Sequence, residues 1–330
     1  MNMKKYCIII LLGITQSLTG QDSLHPKRID FSPSAFSHNF SADIPPVLRI
    51  SPGDTIHTES VDAMGIDKNG VKRISGGNPL TGPFYIETAL PGDWVAITLT
   101  KLSLNRSYAT SAEGFVSRAL PKSYIKKSKK VTLVRWNFDF AKMSATPAVQ
   151  HAHLQRFNVP LKPMLGCVGL ASPPGKEVLT FFAGPFGGNM DFSLVAQSAT
   201  VYLPVFHPGG LLYIGDAHAA QGDGELNGDA LETSMDIEII THILKGKQYA
   251  IYMPRMEDST YIMTVGLDKS LDNALKIANA GMMDWLQKDY HLTLEEVSIL
   301  LGSSVEYCIA EVADPTVEVV AKLRKKFLRF

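Results

Sequence analysis

The chain has 330 residues, 45% of them hydrophobic and 19% charged, with 32 basic residues against 32 acidic ones. That much apolar surface repays the entropy of ordering, which excludes disordered and fibrous classes. Zero net charge excludes nucleic acid as the partner, because clustered Lys and Arg supply most phosphate affinity; the basic runs at 126–130 and 324–326 read as solvated loops or ends.

In chain order, Lys4 and Lys5 precede an apolar stretch over 6–14, and polar and small residues follow to Gly20. The stretch is shorter than the roughly 20 residues a bilayer requires, so residues 1–20 read as a cleaved secretory signal. The expectation is an exported protein, periplasmic or secreted, with no stable membrane anchor. Removing the signal takes away two lysines and no acid, which leaves 30 basic residues against 32 acidic. Cys7 leaves with it. Cys167 and Cys308 remain in apolar, strand-like contexts and read as buried free thiols rather than a bridge.

Residues 21–265 read as a β-rich body. Segments 94–100 and 131–138 alternate apolar and polar residues, the period of a half-buried strand. Further runs at 178–182, 200–206, 211–214, 235–243, 249–253 and 261–265 are punctuated by Gly, Pro, Asn and Asp. This pattern favours a sandwich or barrel over repeated βαβ units. Residues 103–130 break the rhythm and read as a loop or insertion. Residues 266–330 read as a small α/β piece. A helix is predicted over 270–287 from apolar residues at helical spacing, and a second from Thr293 to near Gly302. Thr293-Leu294-Glu295-Glu296 has the form of a capping box, and Gly302 suits a left-handed cap. Strands at 307–312 and 316–320 close the chain, giving a mainly β (α+β) fold.

Polar residues concentrate among glycines at 184–232. Gly215-Asp216-Ala217-His218 follows an apolar run, and an extended backbone projects Asp216 and His218 to one face. Carboxylate and imidazole together suit zinc or another divalent metal, and the glycines allow the backbone to bend ligands inward. Asp191 follows a different turn and can reach the same point from a neighbouring strand. Each residue alone also has a plain reading, Asp as a turn former and His as a hydrogen-bonded strand end. The segment 223–234 imitates an EF-hand loop, but its twelfth position is Ser234 where a bidentate Glu is required, so that reading fails. No nucleophile elbow, Walker loop, dinucleotide fingerprint or His-Glu-x-x-His occurs.

The same stretch resembles the acetamidase/formamidase family of amide hydrolases. The matching text is Gly187-Gly188-Asn189-Met190-Asp191, Tyr202-Leu203-Pro204-Val205 and Gly215-Asp216-Ala217-His218-Ala219-Ala220-Gln221-Gly222-Asp223-Gly224-Glu225, with Glu232 beyond. Upstream, Pro52-Gly53-Asp54-Thr55 with Asp62-Ala63 is similar to the family's first motif. Asn78-Pro79-Leu80-Thr81-Gly82-Pro83 with Glu87 is similar to its second. The resemblance implies a β-sandwich core with an inserted or adjoining β-barrel, a homo-dimer or higher homo-oligomer, and a small-molecule amide substrate. The expected reaction is metal-assisted hydrolysis of a short linear amide to carboxylate and ammonia. Asp62, Asp216, His218 and Glu232 are the expected ligands of a divalent metal, zinc first, with calcium admitted at a second site. Glu225 is expected to shuttle a proton to the leaving nitrogen, with Asp191 beside it and Glu87 supporting the site. The alternative is an exported, metal-stabilised sandwich that binds carbohydrate or a cell-envelope ligand without turnover. Fold analogy alone does not choose between them.

Overall fold

The computed structural model describes residues 26–125, 132–148 and 152–329. The expected signal at residues 1–20 lies outside these. Among the described residues the strands form two large mixed sheets, one of nine strands and one of eleven, two of the latter lying off its main path, and neither closes into a barrel. The expectation of an inserted or adjoining barrel is corrected to two open sheets facing each other.

The longest pairing in the nine-stranded sheet joins Trp94–Leu104 and Met235–Leu244, which run antiparallel along their lengths. Alternation along these strands decides their faces. Val95, Ile97, Leu99, Ile237 and Ile239 enter the main core. There they meet Leu165, Val168, Leu212 and Ile214 of the eleven-stranded sheet. Burying each such side chain contributes roughly 1.5–3 kcal/mol before the entropy of ordering is set against it.

The opposite face of the nine-stranded sheet is covered by the helix Leu271–Asp289, with Leu294–Ser304 packed alongside. The long helix approaches so closely that a Cβ at Gly266 would collide with the backbone of Ala274 and Ala278. The capping box is present: Thr293 accepts from the Glu296 amide and the Glu296 carboxylate accepts from the Thr293 amide. Gly302 does not cap this helix, which continues to Ser304 and ends at an extended Val305.

Three further expectations change. Residues 103–113 are not a loop: the strand from Trp94 runs on to Leu104, and Tyr108–Glu113 forms a hairpin with Thr132–Asp139. Residues 178–182 join no strand: Leu179 makes an isolated bridge to Asn39, and the Phe182 carbonyl accepts from the Asn189 amide of the sheet. Residues 249–253 are irregular, because the Ala250 amide donates to the Asp284 carboxylate and Tyr249 turns inward; the strand begins at Arg255 instead. A boundary at 266 falls within the strand Tyr261–Asp268, which pairs with Val317–Arg324 inside the same sheet. The C-terminal piece therefore extends the body. Both Cys167 and Cys308 are buried and free.

Candidate active site

The strand Leu212–His218 is buried at every position and lies deep in the eleven-stranded sheet. On one side it pairs with Met164–Gly169, and on the other His218 stands directly opposite Glu232. This register puts Glu232 Oε1 3.1 Å from His218 Nε2. Asp216 Oδ1 lies 3.3 Å from the same nitrogen, although Asp216 leaves the extended conformation at φ 55°. Asp191 follows the strand Gly187–Asn189, and its amide donates to the Gly166 carbonyl. Its Oδ1 lies 3.9 Å from His218 Nε2. Glu225 completes a second group with Asp191 and His218, ligand atoms all within 4.8 Å of one another. Asp191 and Glu225 also have positive φ, at 41° and 45°. Three carboxylate-bearing residues thus occupy a backbone region costly to side chains, and such strain collects at functional sites.

Gly166 makes the convergence of Asp191 and Asp216 geometrically possible. A Cβ there would fall inside van der Waals contact of one carboxylate oxygen of each. The imidazole is oriented from behind. Gln221 Nε2 donates to the Asp191 carbonyl, which turns Gln221 Oε1 toward His218 Nδ1 at 2.9 Å. Nδ1 is then the protonated nitrogen and Nε2 faces the carboxylates, the arrangement that fixes metal-ligating histidines.

The electrostatics follow from burying so many acids together. Burial, reinforced by Asp216, pushes Asp191 well above the usual carboxylate range. Burial, reinforced by Asp191, does the same to Glu225. Burial takes Glu232 to about 7 and Asp314 to about 7. Burial also pushes Asp216 up, but His218 outweighs it and Asp216 ends below its ordinary value. Burial opposes charge on His218, yet Glu232 and Asp216 hold its imidazolium well above the normal range. One imidazole is therefore surrounded by acids that cannot all ionise.

This donor set fits a divalent cation. Asp191 Oδ1 and Glu232 Oε2 are buried with no hydrogen-bond partner. A buried carboxylate oxygen without a partner is costly, and a cation would satisfy both while neutralising the excess negative charge. Asp216, His218 and Glu232 form one candidate ligand group and Asp191, His218 and Glu225 the other. Since both share His218, the described residues hold no separate group of three such side chains for a second ion.

Two expected site residues lie elsewhere in role. Asp62 is buried, but Oδ1 accepts from the amides of Met64 and Ile66, and Oδ2 accepts from Arg106 Nη2 at 2.7 Å. It belongs to neither ligand group. Arg106 in turn donates to the Glu232 carbonyl and the Thr233 hydroxyl, so Asp62 braces the strand that carries Glu232. Both ion-pair side chains are only 2% exposed. Asp62→Asn is therefore expected to lower unfolding stability by about 3–5 kcal/mol in urea titrations, as removal of one partner from a buried pair does. Glu87 is at the surface, where it pairs with Arg49 Nε at 2.6 Å and Nη2 at 3.0 Å. It does not support the site.

Several neighbours carried no assigned role in the sequence reading. Asn78, Asn189 and Asp314 line the pocket, and Asn189 Nδ2 donates to both Asp191 and Asp314. Gln221 sits three residues after His218, a spacing that was visible. Glu311 was not, since only a bridge between Gly224 and Glu311 brings the last strands against Glu225. Cys167 lies behind the pocket, donating to Asn189 Oδ1 and to the Thr180 carbonyl, and burial pushes its thiol well up. It is not a thiolate nucleophile.

The acetamidase/formamidase family model matches residues 27–184 and 180–316. The chain belongs to the acetamidase/formamidase family. It is 23% identical to a formamidase of Methylophilus methylotrophus over 82% of this chain and 78% of that protein. The acetamidase of Yersinia enterocolitica superposes with a TM-score of 0.80 at 26% identity, over 92% of this chain and 94% of that one. An acetamidase from Bacillus halodurans gives 0.76 at 25% identity, covering 91% and 98%. Family membership therefore extends well beyond the Gly-Asp-x-His segment, to both sheets and the C-terminal strands.

Proposed function

We propose that this family member hydrolyses a short linear amide to a carboxylate and ammonia. The observation that carries the proposal is the convergence of Asp191, Asp216, Glu225 and Glu232 on one imidazole in a pocket of about 130 Å³. That volume is well under the few hundred Å³ of sites for drug-sized ligands, and it suits amides with very few carbon atoms. Asp216, His218 and Glu232 would hold a divalent metal, for which zinc matches the imidazole and carboxylate donors. When bound, such an ion supplies Lewis acidity toward an amide carbonyl and toward water.

The chain's own residues account for the rest. Asn78 Oδ1 is buried and unpartnered beside the pocket, placed to accept an N–H of the substrate amide. Its own Nδ2 donates to Asn189 at 2.7 Å, which holds that orientation. Glu225, whose carboxyl group burial and Asp191 push well above the usual carboxylate range, is the proton donor for the departing nitrogen. Glu311 is brought against this segment by its bridge to Gly224.

Ammonia release from formamide and acetamide by the metal-loaded protein tests the reading; no release from either would sink it. Glu225→Gln is expected to retain metal while ammonia release falls by about 10²–10⁴-fold, the usual worth of a positioned acid–base group. Equal loss of metal in this variant would instead place Glu225 among the ligands. Export belongs to the same proposal, supported by the charged and apolar pattern of residues 1–20. Terminal sequencing of protein from the producing cell is expected to begin at or near Gln21, and an intact Met1 would refute it.

A further inference from the structure

Nine of the twelve residues lining the amide-hydrolysing pocket carry an amide, carboxyl or imidazole group. The other three are Gly228, Ala63 and Phe181, so half-buried Phe181 is the one apolar side chain larger than a methyl group among the described lining residues. A short amide has a polar end that reacts and a carbon end that does not. Hydrogen-bonding groups serve the first, whereas the second is stabilised by leaving water for an apolar surface. Among the described lining residues, only Phe181 and Ala63 offer that surface.

These two side chains are anchored at one corner of the pocket. The Ala63 carbonyl accepts from the Gly77 and Asn78 amides, at 3.2 and 3.1 Å. The Gly77 carbonyl in turn accepts from the Thr180 hydroxyl at 3.1 Å, and Thr180 immediately precedes Phe181. Both apolar groups are thus tied to the segment that carries Asn78.

Phe181 is a fixed wall rather than a lid, because its two chain neighbours are pinned. Thr180 is fully buried; its amide donates to the His38 carbonyl at 3.0 Å, and its carbonyl accepts from the Cys167 thiol at 3.2 Å. On the other side, the Phe182 carbonyl accepts from the Asn189 amide at 3.1 Å, and it lies where a Cβ on Gly188 would collide with it. The Phe182 ring backs that of Phe181, with centroids 4.8 Å apart. Cys167 and Asn189 stand opposite each other in the sheet that carries the acids. The Asn189 side chain also donates to Asp191 and Asp314. One cross-strand pair therefore holds both the ring and the acid cluster, and the sheet sets the distance between them.

An apolar wall at a fixed distance from the reacting groups measures chain length. We propose that Phe181 is the specificity-determining residue of this pocket, its ring ending the acyl subsite and confining substrates to acyl groups about the size of acetyl. The inference rests on the amide-hydrolase reading and adds the residue that sets substrate length. It also gives the buried Cys167 thiol a task, holding the wall in place.

The test compares kcat/KM for formamide, acetamide, butyramide and hexanamide in the metal-loaded wild type, Phe181→Leu and Phe181→Ala, each checked for native circular dichroism. Wild-type values are expected to fall steeply from acetamide to hexanamide. Phe181→Ala should raise the hexanamide-to-acetamide ratio by at least about 10-fold, since one methylene in an apolar pocket is worth about 10–200-fold. Phe181→Leu should fall between, and it decides the matter if the alanine variant does not fold. Ala63→Val fills the same corner and should lower the acetamide-to-formamide ratio. A merely structural role for Phe181 would depress every substrate together. Unchanged ratios in active variants, or a wild type that takes hexanamide as readily as acetamide, would overturn the inference while leaving the amide-hydrolase reading intact. No ammonia from any of the four amides with the wild type would remove that reading, and the inference with it.

Discussion

Alanine in place of His218 is expected to leave a folded protein that retains no divalent metal and releases no ammonia from formamide or acetamide. His218 Nε2 is the one nitrogen in the cluster and the point on which Asp216, Glu232 and Asp191 converge. Loss of an outer partner of a metal ligand typically costs about 10–100-fold, so loss of the shared ligand should exceed that. Removing the imidazole also strips Asp216 of the charge that holds it ionised, leaving acids that repel one another. The control is His207→Ala. His207 sits in the turn before Gly209 and Gly210 with its Nε2 2.8 Å from the Ser172 carbonyl, away from the cluster. It should keep most metal and activity. Metal content by mass spectrometry, read with ammonia release, separates the outcomes. Metal and turnover surviving in the His218 variant would dismantle the ligand assignment.

Gly166→Ala should be nearly as damaging, for a reason of volume alone. The added methyl would occupy space held by one oxygen each of Asp191 and Asp216, both buried. Neither acid can swing out without leaving its partners, since Asp191 is held by Asn189 and Asp216 by His218. Overpacking of this kind typically costs about 1–3 kcal/mol of stability. The displaced carboxylates should also cut ammonia release by more than about 100-fold, since a misplacement of about 1 Å can cost 10²-fold. Thermal unfolding and amide hydrolysis measured on the same sample check both effects. Full activity in a protein destabilised by the expected amount would show that Asp191 and Asp216 need not meet at Gly166.

Local pattern determined a good part of this protein. Alternation located the strands now seen at Trp94–Leu104 and Thr132–Asp139, because a side-chain period of two survives wherever one sheet face is buried, and runs between turn residues located those at Thr200–Pro204 and Met235–Leu244. The capping box located the start of the helix Leu294–Ser304, because its two hydrogen bonds need only neighbouring residues. The Gly-Asp-x-His segment pointed to the site and, with the resemblance, to the family. Register and long-range packing decided the rest. That Glu232 faces His218 depends on strand pairing, and that Glu311 comes beside the Glu225 segment depends on a bridge to Gly224 between segments far apart in the chain. Asp62 and Glu87 carry the same carboxylate and stand in similar motif-like text. Only their tertiary partners, Arg106 for one and Arg49 for the other, take Asp62 out of the expected ligand set and Glu87 away from the site it was expected to support. A sequence states which groups are available; a carboxylate's role is set by what lies within a few ångströms of it, and that distance is fixed by the fold.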